Sequence, residues 1–364
     1  MKGVATGTAI ALICVIIATG ALVLLTNGYL KHRTDQNAGQ EGNGGGGISP
    51  PPSTYGAPPN VSVSLSVSSQ YLGDYPEASF TVTNTGGACS ISYTIFETQP
   101  QTGTFSLGEG ESQTATATGP QVRDIGPYFT SVQVTATNSY GSDSAQAGTS
   151  FSVDVEPFDA TPYIDINELE RAVIEFSELV RGIATRLWDW AGYPADGYKR
   201  FFVTPDSETV QAVTIRLINR HPNDKELQAK EIYYWVRNWI SYDMDEFYTI
   251  PGTSFKIVKN IFDYSQFELP IETLYDRKGV CLNYSLVLAS MYKAAGFDVR
   301  LVILSNEGGD GHAINMLYLP NTPDVRHSPS YPDWVTLDAT NNDKFGEIYA
   351  DWVNSFQHID IADI

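Results

Sequence analysis

The sequence predicts a multidomain chain in three parts: an N-terminal transmembrane helix, an all-β sandwich, and a C-terminal domain of helices and strands. Three observations support this division. Residues 4–30 carry no charged side chain, residues 61–157 repeat an alternation of apolar and polar residues, and from residue 164 apolar residues recur at helical spacing. A length of 364 residues is enough for two or three domains with cores of their own.

Residues 1–33 are predicted to be a single-pass membrane anchor, because the uncharged run is long enough, as a helix, to cross a bilayer with some tilt. A cleavable signal peptide is the alternative. Lys2 on one side of the run faces Lys31 and Arg33 on the other, so the positive-inside rule does not set the orientation. The composition of the following residues favours a location at the cell membrane, with the bulk of the chain extracytoplasmic.

Residues 34–60 are predicted to be a disordered spacer, since they combine a glycine run with proline-rich segments. In residues 61–157, about seven short runs alternate between apolar and polar residues, separated by turn signals, and they predict an antiparallel immunoglobulin-like sandwich. Residues 61–155 hold eight acids and one base, Arg123, without a cluster suited to catalysis. We therefore expect this region to be a stalk or adhesion module.

The net charge and the cysteine content of the chain argue against some classes of partner and of site. The 22 Lys and Arg against 42 Asp and Glu give a formal net charge of -20, which opposes phosphate backbones, so no nucleic-acid partner is expected. The cysteines Cys14, Cys89 and Cys281 lie in differently composed regions and provide no disulfide framework or CxxC pair. We expect neither a metal nor a cofactor, and pairing of Cys89 with Cys281 stays formally open.

Residues 163–364 are predicted to contain helices that surround a smaller core. One helix spans about residues 167–190, and a second begins near Asp206. A third follows either Asn223 or Asp224 as its N-cap and is amphipathic. The helices are expected to wrap around the segment that contains Cys281.

Cys281 precedes a nearly all-apolar helical segment, which Gly296 is predicted to terminate. Gly279 and Val280 ahead of it offer no capping side chain, so the first backbone N–H groups of the helix can point at whatever lies beside the thiol. The positive end of the helix favours a thiolate, and its free N–H groups can receive a developing oxyanion. The sequence therefore predicts a reactive cysteine.

Such a thiol needs a base, and His312 is the best placed of the five histidines. It opens an alternating segment after the strand that leaves the cysteine helix, so a hairpin would return it to the start of that helix. From these residues alone, a purely structural role for His312 stays open as the alternative. Asp338 ends the short strand predicted at 334–337, where it could accept the ring N–H of His312 or serve only in a turn.

The order of "GVCLNYSLVLASMYKAAGFDVRLV", "GHAINMLYL" and "WVTLDAT" resembles the transglutaminase-like core of prokaryotic and archaeal membrane-anchored proteins, over about residues 231–340. The resemblance implies a papain-like α+β fold in which Cys281 is the nucleophile, His312 the general base and acid, and Asp338 the orienting carboxylate. Asn283 departs from the sequence pattern of that family, because many of its members carry an acidic residue at this position. Trp235 and Tyr242 are candidates for the cleft or the oxyanion site, with helix packing as the alternative.

The expected function is that of a cysteine protease or amidase at the membrane, acting on a protein or peptide substrate through a thioester. Two alternatives stay open at this point. The chain could crosslink protein glutamines as a transglutaminase, or it could be a non-catalytic surface adhesion protein in which the sandwich carries the function.

Overall fold

The computed structural model describes residues 56–187, 202–243, 247–249, 256–258, 268–305, 311–323, 325–340, 344–347 and 358–364. All of them belong to one compact unit, Gly56–Ile364. The predicted membrane anchor at 1–33 and most of the predicted spacer at 34–60 lie outside the described residues. Within those that are described, no helix combines the length and the apolar character needed to cross a bilayer.

Residues 61–154 form a sandwich of two β-sheets. Its strands are β1 (Val61–Val67), β2 (Gln70–Tyr71), β3 (Glu77–Asn84), β4 (Cys89–Ile95), β5 (Gln101–Leu107), β6 (Ser112–Thr118), β7 (Gly126–Asn138) and β8 (Gly141–Asp154). One sheet has the order β1-β3-β6 and the other β2-β8-β7-β4-β5, and all pairs are antiparallel except β2 with β8. This is the arrangement of immunoglobulin-like domains, with eight strands where the sequence pattern indicated about seven.

The alternation of the strands explains the sandwich core. In β1 the apolar residues point inward and the serines outward, and Leu65 pairs with Phe80 of β3. Cys89 opens β4, is 6% exposed, and packs in the same core as Phe80. Both described cysteines, Cys89 and Cys281, are free. Cys89 is therefore a core residue, as predicted, and the pairing left open above does not occur in this structure.

The last residues of the predicted spacer are bonded to the sandwich. The carbonyl of Pro58 accepts the N–H of Gly87 at 3.1 Å, and the carbonyl of Asn60 accepts the N–H of Thr85 at 2.8 Å. The side chain of Asn138 donates to the carbonyl of Ala57 at 2.9 Å. Residues 57–60 are thus part of the folded module, and the predicted boundary at residue 60 lies a few residues too late.

In its described residues, the C-terminal domain contains five α-helices and a four-stranded antiparallel sheet, and the last of these helices packs on the sheet. The helices are α1 (Ile166–Leu187), α2 (Glu208–Ile218), α3 (Lys225–Trp239), α4 (Pro270–Asp276) and α5 (Cys281–Ala294). Short pairs are formed by β9 (Ser241–Tyr242) with β12 (Lys278–Gly279), and by β10 (Phe247–Thr249) with β11 (Lys256–Val258). The sheet has the order β15-β14-β13-β16, from β13 (Val299–Ser305), β14 (Gly311–Tyr318), β15 (Trp334–Leu337) and β16 (His358–Asp363).

Local signals set the helix ends. The Asp224 side chain accepts the N–H of Leu227 at 3.0 Å, which makes Asp224 the N-cap of α3. Gly296, with a φ of 76°, follows the end of α5 as predicted. Helix α1 ends at Leu187, and residues 188–190 of its predicted range lie outside the described residues.

A strand that was not predicted from the sequence begins at His358. Residues from His358 onward form the edge strand β16, which pairs with β13 from Ser305 to Arg300. Its apolar residues Ile359 and Ile361 alternate with polar ones, which is the period of a strand.

The sandwich loop that contains Arg123 and Asp124 is hydrogen-bonded to helix α3. Arg123 donates to both carboxylate oxygens of Asp224, at 2.9 and 3.1 Å, and to Glu226 at 3.1 Å. Lys230 donates to the main-chain carbonyl of Arg123 at 2.6 Å, and the Tyr234 hydroxyl donates to the carboxylate of Asp124. The single base of residues 61–155 is therefore bonded to the second domain, and the loop contacts α3 from its N-cap as far as Tyr234.

Candidate active site

Cys281 is the first residue of α5. The preceding turn is tight: Arg277 adopts a left-handed conformation with a φ of 56°, and β12 then pairs with β9 before the helix begins. Val280 provides no side-chain cap, whereas the Asn283 side chain accepts the N–H of Val280 at 2.9 Å. Cys281 is partly exposed at the end of a helix that is otherwise largely buried. The thiol is therefore accessible and sits at the positive end of the helix dipole.

Gly279 is needed in the turn before the cysteine. A Cβ atom at this position would lie 2.6 Å from the Cβ of Asn283, which is closer than side chains tolerate. Asn283 itself is 1% exposed. Asn283 thus fills the space beside Gly279, and its bond to Val280 orders the start of α5.

The hairpin of β13 and β14 brings His312 to the cysteine, as predicted. In its register, Leu304 pairs with His312, so the histidine lies near the turn end of the hairpin. The amide of Asn315, which is fully buried, donates to the carbonyl of Ser285 at 3.1 Å and ties β14 to α5. His312 is 6% exposed and is hydrogen-bonded to the side chain of Cys281.

Asp338 follows the last paired residue of β15, Leu337, which lies opposite Asn315. Its Oδ2 atom is 2.9 Å from Nε2 of His312, and the carboxylate is 2% exposed. Its Oδ1 atom accepts the N–H and the hydroxyl of Thr340, at 3.0 and 2.7 Å. Because Nε2 of His312 faces the carboxylate, Nδ1 is the nitrogen available to the thiol.

The electrostatics favour a charged imidazole. Burial lowers the pKa of His312, but hydrogen bonds to Asp338 and Cys281, together with their negative charge, outweigh burial and raise the pKa to about 9. Burial likewise opposes the charge of Asp338, yet the bonds to His312 and Thr340 hold the pKa of this carboxyl below its ordinary value. At neutral pH the pair is therefore an aspartate and an imidazolium.

This geometry coincides with a match to a known family. Residues 212–339 match the model of the transglutaminase-like superfamily, and they include Cys281, His312 and Asp338. The chain carries a transglutaminase-like domain. A UPF0252 protein of Methanocaldococcus jannaschii is 29% identical over 100 residues, which are 27% of this chain and 26% of that protein. The match thus spans about a quarter of the length of this relative.

Three solved structures are also similar to parts of the chain. A TGase covers 49% of this chain and 41% of its own, with 15% identity and a TM-score of 0.27. LapG of Legionella pneumophila covers 49% and 77%, with 15% identity and a TM-score of 0.26. The CARDB domain of a Pyrococcus furiosus protein, solved with di-metal ions, covers 27% and 96%, with 18% identity and a TM-score of 0.20.

Of the two cleft candidates in the transglutaminase-like domain, only Tyr242 is placed at the cysteine. Its hydroxyl oxygen is bonded to the backbone N–H of Cys281, and its ring lies 6.2 Å from that of Tyr284. Burial, reinforced by Cys281 and Asp338, raises the pKa of Tyr242, so its hydroxyl stays protonated and able to donate. The helix N-terminus and this hydroxyl are thus neighbours of the thiol.

Trp235 has a different role. It is 2% exposed, its indole N–H donates to the carbonyl of Phe158 at 3.1 Å, and its ring stacks on Trp239 at 5.2 Å. Its N–H is therefore engaged with the segment that joins the two domains. These contacts correspond to the packing alternative and not to an oxyanion site.

Sequence reasoning missed two residues that contact Asp338. The Thr340 hydroxyl bonds the carboxylate, and the Tyr233 hydroxyl donates to the main-chain carbonyl of Asp338 at 2.8 Å. A threonine two residues after an aspartate is a signal for such a turn. In the described residues, no group of three or more His, Cys, Asp or Glu side chains is arranged to hold a metal ion.

Proposed function

We propose that the chain is a membrane-anchored thiol enzyme, a cysteine protease or amidase that cleaves peptide or carboxamide bonds through a thioester. The observation that carries the proposal is the buried His312, bonded to Asp338 on one side and to Cys281 on the other. Anchoring in the membrane, with the bulk of the chain outside the cytoplasm, rests on the uncharged run at residues 4–30 and on the composition that follows it.

In the first half of the reaction, the thiolate of Cys281 forms a bond to the carbonyl carbon of the substrate. The negative charge on the carbonyl oxygen is met by the hydroxyl of Tyr242, whose oxygen in turn accepts the N–H of Cys281. The C–N bond then breaks, and the imidazolium of His312 gives its proton to the departing amine. The product is a thioester on Cys281 and a neutral His312.

In the second half, neutral His312 takes a proton from water, and the hydroxide attacks the thioester carbon. The C–S bond breaks, which releases the acid and restores the thiolate and imidazolium pair. Asp338 keeps the imidazole in one orientation and stabilises its charge throughout. If an amine takes the place of water, the same thioester gives a crosslinked product.

The first test is the rate at which iodoacetamide alkylates Cys281 as a function of pH, followed by mass spectrometry of the Cys281 peptide in the full chain. We expect rapid alkylation at pH 6, where an ordinary thiol is mostly protonated. The variant His312→Ala should be alkylated more slowly at the same pH, because it lacks the imidazolium that stabilises the thiolate. A slow reaction of the native chain, unchanged by His312→Ala, would mean that Cys281 is only a structural residue.

The reaction type is tested separately. Incubation with a peptide library, followed by detection of new amino termini, reports hydrolysis, while incorporation of a labelled primary amine into glutamine reports crosslinking. We expect new amino termini that are absent with Cys281→Ala. Amine incorporation without hydrolysis would refute the protease assignment and leave the thioester chemistry intact.

A further inference from the structure

At least three residues form hydrogen bonds with Asp338. His312 bonds Oδ2 of its carboxylate, Thr340 bonds Oδ1, and the Tyr233 hydroxyl bonds its main-chain carbonyl at 2.8 Å. The first two bonds act on the side chain. Tyr233 is the one of the three that acts on the backbone from which this side chain projects.

The backbone at this point needs such a restraint. The ladder between β14 and β15 ends at Leu337, so Asp338 is the first residue beyond it. Its carbonyl therefore lies outside the strand pairing, and a free residue there could rotate and move the carboxylate away from Nε2 of His312. The hydrogen bond from the Tyr233 hydroxyl to this carbonyl holds the backbone just beyond the end of the strand pairing.

Tyr233 is itself rigidly held. Its side chain is fully buried, and its ring meets those of Tyr234 and Phe345 edge-on, at 5.2 and 5.5 Å. The neighbouring Tyr234 bonds Asp124 of the sandwich, and Lys230 on the same helix bonds the carbonyl of Arg123. The hydroxyl of Tyr233 thus projects from a helix that both domains hold in place.

We infer that Tyr233 is a positioning residue for the reaction, because its hydroxyl fixes the backbone of Asp338 and so keeps the carboxylate aligned with His312. The inference rests on the proposed function of the Cys281 site. Tyr233 contacts Asp338 and takes no part in bond making, so its effect is transmitted entirely through the orientation of the carboxylate.

The test compares two single-atom deletions in the full chain, Tyr233→Phe and Tyr292→Phe. Tyr292 is the matched control: it is also fully buried, and its hydroxyl also donates to a main-chain carbonyl, that of Ala229, at 3.0 Å. Both variants should unfold at similarly reduced urea concentrations, since each loses one buried hydrogen bond. Only Tyr233→Phe should change the site.

Two readouts report on the site. The first is Cys281 alkylation at pH 6 to 7, which we expect to slow about 3- to 10-fold in Tyr233→Phe, the effect of one lost hydrogen bond, and to stay native in Tyr292→Phe. The second is the downfield proton resonance of the hydrogen bond between His312 and Asp338. We expect it to shift or exchange faster with solvent only in Tyr233→Phe.

The outcomes separate this inference from the proposed function. If the native chain is rapidly alkylated and both tyrosine variants match it, the positioning role is wrong while the thiol enzyme stands. Equal slowing by both variants would show a general loss of stability and also overturn the inference. If His312→Ala has no effect on alkylation, the proposed function fails, and the proton resonance alone decides whether Tyr233 orients Asp338.

Discussion

Replacing Asp338 with asparagine tests how strongly the buried carboxylate stabilises charge on His312. The pKa of His312 is about 9 against an ordinary 6.5, although burial alone lowers it. At 1.36 kcal/mol per pKa unit, this difference corresponds to about 3 kcal/mol in favour of the imidazolium. Asparagine keeps the shape of the side chain and removes its charge. Because Cys281 supplies part of the rise, we expect the pKa of His312 to fall by about one to two pH units in Asp338→Asn.

The assay is an NMR titration of the histidine rings, with the His312 signal assigned by its loss in His312→Ala. Thr340→Val is the control, because it removes a hydroxyl bond to Asp338 but keeps the negative charge. We expect its effect on the pKa of His312 to be smaller than that of Asp338→Asn. An unchanged pKa in Asp338→Asn would refute the electrostatic account of the site.

The substitution Asp338→Asn should also change how the free energy of unfolding depends on pH. Since the pKa of His312 is raised by folding, the pair contributes its full stabilisation below pH 6.5 and loses it as the pH rises through about 9. On the acid side, the contribution of Asp338 is lost only as the pH falls through its lowered pKa. Urea denaturation should therefore show the largest gap between native chain and Asp338→Asn near pH 6, and a constant gap up to pH 10 would contradict this linkage.

Further predictions concern the interface between the domains. Gly73 has a φ of 85°, and a Cβ atom there would collide with the ring of His221. Gly110 has a similar φ of 74°, but no atom lies near the position of its Cβ. Gly73→Ala should therefore lower the thermal midpoint of unfolding more than Gly110→Ala. Equal losses would mean that the approach to His221 is not close. Arg123→Gln should cost about 2 kcal/mol in urea unfolding, because the carboxylate of Asp224 loses a bidentate partner, and an unaltered stability would show that the pair contributes nothing.

The site triad was predictable because each member stands at the boundary of an element with a strong pattern. Cys281 is the first residue of an apolar helix, His312 lies at the start of one strand, and Asp338 directly follows another. The hairpin between β13 and β14 followed from their adjacency in the chain. Local periodicity and short connections therefore predicted most of the arrangement of these three side chains.

Contacts between distant segments were not predictable in the same way. Tyr233 lies on a helix that is buried nearly all round, and nothing in its neighbourhood indicates that its hydroxyl meets a carbonyl 105 residues later. Arg123 stood out as the one base of its region, yet its partner Asp224 is 101 residues away. The edge strand β16 was missed because its polar, partly exposed sequence resembles a tail, although Ile359 and Ile361 keep a strand period.

The use of Arg123 at the interface between the domains has a consequence for contacts between separate copies of the chain. Residues 61–155 hold eight acids, and their only cation is bonded within the same molecule. The outer sandwich therefore offers neighbours negative charge and hydroxyl groups such as those of Thr81 and Thr114, while the positive charge of Arg123 is already paired with Asp224 and Glu226. Charge of one sign on this face should therefore oppose the approach of two copies through their sandwiches, and added salt should weaken that repulsion.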